Sequence, residues 1–342
     1  PAQLAAIRGA QRTITYAQYF YEDGPPAVAL VEAISERCRA GLRAHVLLDG
    51  FGTLKMPPEL RQTLEGAGCE VATFRPLRPW TMDEANNRNH RRILVVDGKV
   101  GFTGGMNIRD DFLPAPGRPT FMDLQARLEG PVVEQLQAAF AEDWLFTTGE
   151  TLEGGAFFPP QKRAGGVLAR GVTDGPDEDF EAIRWLLLGA LATARERVRI
   201  VTPYFLPDAG LVTALDMAVM RGVAVDVVLP ERGNLPLVQW AQTAQLWQVL
   251  DRGCRVWLTP PPFDHTKLMV VDGVWSLIGS ANWDPRSLRL NFELDVECFD
   301  PDLARRLEAL AEERIARARQ VTLADVNGRS LPVKLRDGFA RL

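Results

Sequence analysis

Cysteine and histidine are scarce in this 342-residue chain, which holds four of the former and three of the latter. The cysteines lie far apart with no C-x-x-C spacing, and we expect all of them to be reduced and buried in an intracellular protein: Cys38, Cys69, Cys254 and Cys298. No group of His, Cys, Asp and Glu has the spacing of metal ligands. The sequence therefore predicts no disulfide framework, no zinc site and no cofactor.

Long apolar runs and an excess of positive charge are also missing. The longest segment without a charged residue, 233–250, contains four glutamines and is too polar for a lone membrane span. No signal peptide is visible in the sequence, which starts at Pro1. The 39 Lys and Arg residues against 44 Asp and Glu residues give a net charge of −5, which argues against a protein that grips nucleic acid through a basic face. The remaining composition, 46% apolar and 24% charged, is that of an ordinary globular protein.

What the chain does contain is an internal repeat. The segment TYAQYFYEDG has a later counterpart in IVTPYFLPDAG, and each is followed by an amphipathic helix pattern and an apolar strand pattern, RAHVLLDG and VAVDVVLP. Cys69 and Cys254 hold equivalent places, which favours a packing role for both. The strongest match pairs NHRRILVVDGKVGFTGGMN with DHTKLMVVDGVWSLIGSAN.

Strands that alternate with helices at this spacing are typical of βαβ units. We therefore predict an α/β protein made of two similar α/β/α sandwich halves related by a pseudo-twofold axis, with mixed, mostly parallel sheets. The halves cover residues 1–150 and 151–342, the second ending in a C-terminal helix and tail. A segment rich in Gly, Thr and Pro, 147–166, reads as the linker between them.

Two of the three histidines, His90 and His265, occupy the same place in the two copies. A cation, Arg92 or Lys267, follows each by two residues, so that in a strand both side chains point to one face. Such a cation binds phosphoryl oxygens, and two facing imidazoles can serve one phosphate ester as nucleophile and as general acid and base. His45 has no counterpart in the repeat, and we interpret it as a satisfied core or edge histidine.

Further polar residues repeat downstream of the histidines. Asn107 and Asn282 each follow a histidine by seventeen residues. Either their amides donate to a phosphoryl oxygen, or they belong to Gly/Asn turns. Asp123 aligns with Glu293, and a carboxylate that faces an imidazole can fix its tautomer.

Asp97 and Asp272 stand in the duplicated Val-Val-Asp-Gly, between two apolar runs. Asp-Gly in this position is a common signal for a short hairpin. We favour a turn or scaffold role for both aspartates and keep direct chemistry as the alternative.

These residues resemble the phospholipase D superfamily, whose members carry a duplicated H-x-K-x-x-x-x-D segment. The first copy is similar to the cardiolipin synthase branch, of the type without an N-terminal membrane hairpin. The resemblance implies two phospholipase D-like halves and transfer of a phosphatidyl group through a phospho-histidine, with no cofactor. It implies mainly structural roles for Asp97 and Asp272, and a site made of His90, Arg92, Asn107, Asp123, His265, Lys267, Asn282 and Glu293.

One residue departs from the family pattern, because Arg92 stands where the family has lysine. The charge is kept, but the guanidinium is planar and bidentate. We expect a variant that binds the same phosphate.

The expected reaction joins two phosphatidylglycerols into cardiolipin and glycerol, by a protein bound peripherally on the cytoplasmic side of the inner membrane. The alternatives are hydrolysis to phosphatidic acid, a superfamily nuclease or phosphodiesterase, and a non-catalytic membrane module. The acidic net charge disfavours the nuclease, and no nucleic-acid partner is expected. The two motifs do not distinguish the attacking histidine; the resemblance favours His90.

Three features suit a lipid substrate. Trp80 lies in a long loop before the first motif, and the loop at 113–121 is apolar. A helical stripe could line an acyl-chain groove, although we favour packing against the sheet: Leu237, Trp240, Ala244 and Trp247.

Overall fold

The computed structural model describes residues 1–77, 86–113, 120–176 and 179–341. Trp80 and most of the apolar loop at 113–121 lie outside these residues. In the first half, the described residues form four α-helices and six strands in the order α1 (Ala2–Gly9), β1 (Thr13–Gln18), α2 (Pro25–Arg39), β2 (Arg43–Asp49), α3 (Pro58–Gly66), β3 (Glu70–Phe74), β4 (Ile93–Val96), β5 (Val100–Gly104), β6 (Gln125–Glu129) and α4 (Val132–Thr148), with a short 3-10 helix at Asp110–Phe112.

The second half repeats this order, with two helices in place of α3 and an extra helix before its last equivalent strand, and adds elements at both ends. Its elements are β7 (Leu168–Asp174), α5 (Ala182–Thr193), β8 (Arg197–Val201), α6 (Ala209–Met220), β9 (Ala224–Pro230), α7 (Pro236–Gln245), α8 (Trp247–Leu250), β10 (Arg255–Thr259), β11 (Leu268–Val271), β12 (Trp275–Gly279), α9 (Pro285–Arg289), β13 (Glu293–Phe299), α10 (Pro301–Ala316), β14 (Arg319–Val321), α11 (Leu323–Asn327) and α12 (Leu331–Arg341). Several helices, α10 among them, begin with proline, whose missing N–H costs nothing in the first turn.

The two sheets have the same internal strand order. The first runs β3-β2-β1-β4-β5-β6, and the second runs β14-β10-β9-β8-β11-β12-β13-β7, so β1 to β6 correspond to β8 to β13. The mixed sheets and the two similar halves confirm the predicted fold class. The expected predominance of parallel pairs is wrong, because only β1–β2, β2–β3, β8–β9 and β9–β10 are parallel among the described strand pairs.

Two of the antiparallel pairs, β4–β5 and β11–β12, are formed by Asp-Gly hairpins. Asp97 and Gly98 have φ of +54° and +63°, and Asp272 and Gly273 have φ of +53° and +63°. Positive φ at both central residues is the geometry of the tight hairpin turn that Asp-Gly favours. The hairpins reverse the chain between β4 and β5 and between β11 and β12, and every strand after them in each sheet pairs antiparallel.

Helices cover both faces of each sheet. Helices α1 to α3 pack on one face of the first sheet, and α5, α6 and α8 pack on the matching face of the second. Helix α10 covers the other face of the second sheet. Helix α4 shares a core with residues of both halves, including Phe74 and Ile93 from the first and Phe292 and Leu294 from the second. The halves are therefore joined by a common core, and their motif segments meet beside it.

The cysteine prediction is wrong for one pair. Cys38, at the end of α2, forms a disulfide with Cys69, next to the start of β3, with 5.8 Å between the Cα atoms. Parallel pairing of β2 with β3 brings these two positions together, which their separation of 31 residues did not indicate. Cys254, the counterpart of Cys69, and Cys298 are free and buried.

No helix among the described residues combines the length and apolar character that crossing a membrane requires.

Candidate active site

Each half supplies a buried histidine whose ring is held by a carboxylate from the other half. His90 Nδ1 lies 2.8 Å from both carboxylate oxygens of Glu293. His265 Nδ1 lies 2.8 Å from Oδ2 of Asp123. Asp123 and Glu293, which align in the repeat, therefore also hold equivalent positions in the structure. Each carboxylate contacts the histidine of the opposite half. We call Glu293 and Asp123 the exchanged carboxylates.

The backbone fixes these pairs as firmly as the side chains do. The His90 N–H donates to the carbonyl of Phe292, and the His265 N–H donates to the carbonyl of Met122, both at 2.8 Å. Phe292 and Met122 directly precede the exchanged carboxylates. Short parallel bridges, Asn89 with Phe292 and Met122 with Asp264, thus set the position of each imidazole against its acid.

The two cations take equivalent positions although they differ in type. Arg92 donates to the carbonyl of His90 at 2.6 Å and to its ring Nε2 at 2.9 Å. Lys267 Nζ donates to the carbonyl of His265 at 2.6 Å and lies 3.0 Å from its Nε2. A guanidinium can only donate, so His90 Nε2 accepts and its Nδ1–H donates to Glu293. This tautomer leaves the lone pair of His90 on Nε2.

The two asparagines differ between the halves. Asn107 Oδ1 accepts from Arg92 Nε and Nη2, at 3.0 and 2.9 Å. Asn282 donates to Ser287 Oγ at 3.2 Å, while its own Oδ1 is buried and has no partner among the residues that the structure describes. Both asparagines lie in the site region, but only Asn107 is held directly by the motif cation.

Four further residues of the site were not singled out from the sequence. Ser280 and Asn291 both donate to the carboxylate of Glu293 and fix its orientation. Tyr19 lies edge-on to His90, with 4.7 Å between ring centroids, and Tyr204 lies edge-on to His265 at 6.3 Å. The duplicated Tyr-Phe pair was the signal for the tyrosines; Ser280 carries no repeat signal, because glycine occupies its place in the first copy.

Burial keeps both imidazoles neutral. It lowers the pKa of His265 to about 3, with the charge of Lys267 acting in the same direction. The pKa of His90 also falls well below its usual value, first through burial and then through Arg92 and Lys267. Because Lys267 acts on His90 and Arg92 acts on His265, the two half-sites form one electrostatic unit.

Burial also shifts the charged partners. It lowers the pKa of Lys267 to about 7, although Asp123 raises it. It raises the pKa of Glu293 to about 7, although Ser280 and Arg92 lower it. A site that excludes water in this way favours neutral groups at rest and binds an anion strongly when one neutralises its cations.

Asp97 and Asp272 lie at the hairpin turns and do not contact the histidines. The Asp97 carboxylate accepts the backbone N–H groups of residues 11–13, and Asp272 accepts those of residues 195–197. Each aspartate ties its hairpin to the start of the neighbouring strand. Their inclusion among the candidate catalytic residues is not matched by any contact in the site, whereas the scaffold interpretation agrees with these hydrogen bonds.

His45 belongs to the core of the first half. It is 1% exposed, and the rings of Trp144 and Phe157 lie edge-on to it. Its burial agrees with the prediction, although its Nδ1 has no partner within the described part of the chain. Together with Glu70 and Glu150 it forms a group whose possible ligand atoms lie within 4.8 Å of one another, outside the histidine site.

The helical stripe of α7 and α8 is not core. Leu237 is 65% exposed and Trp247 is 47% exposed. Trp240 lies under the guanidinium of Arg336, 4.4 Å from ring centroid to Cζ. The stripe therefore faces α12 and solvent, and the favoured interpretation of packing against the sheet is wrong.

The chain is similar in sequence to proteins of one known family. A family model described as "Cardiolipin synthase, PLD-like domain" matches residues 4–144 and 187–315. Cardiolipin synthase A of Pseudomonas fluorescens Pf-5 is 35% identical over 92% of the chain and 66% of its own length. That of Pseudomonas putida GB-1 is 34% identical over 95% of the chain and 68% of its own length, so the chain spans about two thirds of these relatives.

The fold has solved counterparts. The crystal structure of phosphatidylserine synthase from Haemophilus influenzae Rd KW20 superimposes with a TM-score of 0.76 at 16% identity, covering 99% of this chain and 90% of that one. At this identity the likeness concerns the fold alone.

Proposed function

The chain belongs to the phospholipase D-like cardiolipin synthase family, and from that membership we propose that it transfers a phosphatidyl group from one phosphatidylglycerol to another, giving cardiolipin and glycerol. The observation that carries the proposal is the pair of neutral imidazoles held by the exchanged carboxylates, with a cation beside each. Such a site can bind one phosphodiester anion between two groups that act on it from different sides.

In the first step, Nε2 of His90 attacks the phosphorus of the donor. The bond between phosphorus and the glycerol headgroup breaks, and His265 gives its proton to the leaving oxygen. A bound phosphodiester anion raises the pKa of His265, and Asp123 stabilises the imidazolium, so His265 carries that proton when substrate is present. The product is glycerol and a phosphatidyl group on His90.

In the second step, the terminal hydroxyl of another phosphatidylglycerol replaces glycerol in the site. His265 takes the proton of this hydroxyl while its oxygen attacks phosphorus, and the bond between phosphorus and His90 Nε2 breaks. The cycle releases cardiolipin and returns the proton to His265. Glu293, held by Ser280 and Asn291, stabilises the positive charge that His90 carries while it is phosphorylated.

Arg92 and Lys267 bind the phosphoryl oxygens in both steps. In the free site each cation contacts the Nε2 of its own histidine. When the phosphodiester enters, its oxygens replace these contacts and neutralise the two cations, which stabilises the charge that grows on phosphorus oxygens in the transition state.

A lipid donor and a lipid acceptor place this reaction at a membrane surface. We propose peripheral binding on the cytoplasmic side of the inner membrane, with anionic phospholipid as partner and substrate. The family resemblance supports this placement, and the net charge of −5 disfavours nucleic acid as an alternative phosphodiester.

The test is to incubate the purified chain with phosphatidylglycerol vesicles and to follow lipids and glycerol by mass spectrometry. We expect cardiolipin and glycerol in equal amounts, and at least about a thousandfold less product from His90→Ala and from His265→Ala, provided that circular dichroism shows them to be folded. Phosphatidic acid as the only product would identify water as the acceptor and overturn the transferase proposal. A folded His265→Ala variant with most of its activity would overturn the two-histidine mechanism.

A further inference from the structure

Helix α12 carries an outward apolar face that the described chain does not cover. Leu331, Leu335 and Phe339 are spaced by four residues, which places them on one side of the helix. They are 68%, 65% and 79% exposed. We call these three residues the α12 face.

The opposite side of α12 is firmly held by the protein. Asp337 is buried at 1% exposure and accepts from the guanidinium groups of Arg329 and Arg336. Arg336 in turn lies over the ring of Trp240 in α7. These contacts hold the helix against α7 and leave its apolar face on the surface.

The charge around the α12 face is positive although the whole chain is acidic. The helix contains Lys334, Arg336 and Arg341 against the single buried Asp337, a net charge of +2 on a molecule of −5. An amphipathic helix with exposed leucine and phenylalanine on one face and Lys and Arg beside them is the type that lies in the interface of an anionic bilayer.

A groove lies next to the face and shares two of these cations. Its volume is about 520 Å³, and the residues that line it include the cations Arg329, Lys334 and Arg341, without any carboxylate. Trp247, 47% exposed, also lines this groove. Cations and an exposed tryptophan beside an apolar stripe are the groups that lipid headgroups meet at the membrane interface.

This part of the surface is connected to the histidine site through α7. The Tyr204 hydroxyl donates to Asn234 at 2.7 Å, two residues before α7 begins, and the Tyr204 ring lies edge-on to His265. Helix α12 packs along α7. A membrane bound at α12 thus lies on a helix that packs along α7, and the segment just before α7 contacts Tyr204 of the site.

We propose that the α12 face and its basic groove form the surface by which this protein docks on anionic phospholipid bilayers. The proposal rests on the proposed function, because a lipid substrate is what makes docking useful. Charge complementarity selects an anionic lipid surface over a second copy of the chain packed α12 against α12, because that contact would bring the basic residues Lys334 and Arg341 of both copies together.

The experiment measures binding to vesicles of phosphatidylglycerol and phosphatidylcholine by co-sedimentation, and compares the chain with Leu335→Gln/Phe339→Gln. We expect this double variant to bind at least about tenfold more weakly, because it lacks two apolar side chains that the docked protein would bury in the bilayer. The matched control is Met217→Gln/Met220→Gln, which removes two side chains that are 55% and 75% exposed on α6 and is expected to bind as the parent does.

A second variant tests the charge. Lys334→Gln/Arg341→Gln is expected to weaken binding to vesicles that contain phosphatidylglycerol by about tenfold and to reduce the dependence of binding on salt. Binding of both α12 variants at the level of the parent chain would overturn the proposal. An equal loss in the Met217/Met220 control, or a parent chain that self-associates through α12 in sedimentation velocity, would overturn it as well.

The design separates docking from chemistry. Turnover of a short-chain phosphatidylglycerol, dissolved as monomers, is expected to be unchanged in all these variants, which also reports that they are folded. Loss of vesicle binding with intact monomer turnover supports docking at α12. Absence of monomer turnover in the parent chain itself would contradict the proposed function, while vesicle binding would still decide the docking proposal.

Discussion

His90 and His265 are each oriented by a carboxylate that is distant in the sequence. The separation is 203 residues for His90 and Glu293 and 142 residues for His265 and Asp123. The short distances and the burial of both pairs mean that the ring orientation is set before substrate binds. What differs between the half-sites is the cation. Burial lowers the pKa of both, but a guanidinium starts from a much higher pKa than an ammonium, so Arg92 stays charged near neutral pH while the pKa of Lys267 falls to about 7.

The first prediction concerns Arg92. Its guanidinium makes the same two contacts with His90 that Lys267 makes with His265, so Arg92→Lys is expected to keep kcat/KM within about tenfold. Arg92→Gln is expected to lose at least about a hundredfold, because the charge on the phosphoryl oxygens then lacks one partner. Steady-state turnover of short-chain phosphatidylglycerol measures kcat/KM for both variants. Equal losses in Arg92→Lys and Arg92→Gln would show that the charge at this position is not used.

The second prediction concerns pH. A lysine with a pKa of about 7 is protonated below that pH and neutral above it, so kcat/KM is expected to fall as the pH rises through about 7. Lys267→Arg keeps the charge and is expected to remove this alkaline decline. A pH profile of kcat/KM for the two proteins is the measurement, and an unchanged decline in Lys267→Arg would assign it to another group.

Among the structural elements, helix α4 anchors the first motif segment. Asp143 in α4 accepts from Asn89 at 2.8 Å and from Arg91 at 2.9 Å, and Arg91 also donates to the carbonyl of Glu293. In the second half the charges are exchanged: the helix supplies the cation, and Arg314 in α10 donates to Asp264 at 2.5 Å. Equivalent helices thus hold equivalent motif segments through buried ion pairs, with the acid on the helix in the first half and the base on the helix in the second.

Asp143→Ala is the third prediction. It leaves Arg91 buried without its carboxylate, and we expect a loss of about 3–5 kcal/mol in the free energy of unfolding by urea. The control is Arg305→Ala, which removes an ion pair with Asp302 between two exposed side chains, at 68% and 77% exposure. This control is expected to cost less than about 1 kcal/mol. Similar costs for the two variants would contradict an anchoring role for Asp143.

The fourth prediction concerns the second hairpin. Although partial burial acts to raise it, the backbone N–H groups of residues 195–197 lower the pKa of Asp272. Asp272→Ala removes these bonds and is expected to cost about 1–2 kcal/mol near neutral pH with turnover within threefold. Because the native pKa is depressed, the cost should shrink as the pH falls below about 4. Unfolding curves at several pH values measure it, and loss of turnover in a folded variant would support direct chemistry.

At the scale of the whole molecule, the two halves share the core around α4. Phe74 and Ile93 from one half and Phe292 and Leu294 from the other pack in the same cluster. The fifth prediction is therefore a single unfolding transition, coincident by circular dichroism and tryptophan fluorescence. Two separate transitions would show that the halves unfold independently.

The repeat made the matching strand order and the paired histidines predictable from the sequence. It did not show that Glu293 serves His90 and Asp123 serves His265, since a repeat identifies equivalent residues and not the half with which each one pairs. The Cys38–Cys69 disulfide was not predicted, because the two cysteines lie 31 residues apart and only the fold brings them together. The position of α12 was also beyond reach, because its apolar residues are as compatible with a core as with a surface.

The exchanged carboxylates have a consequence for how such a protein can change over generations. A substitution at position 123 changes the environment of the histidine in the opposite copy, so neither copy can change independently at these positions. The duplicated halves are free to diverge in their surfaces and grooves, but the exchanged carboxylates require both halves to be inherited together. A copy separated from its sibling would inherit a histidine without its acid.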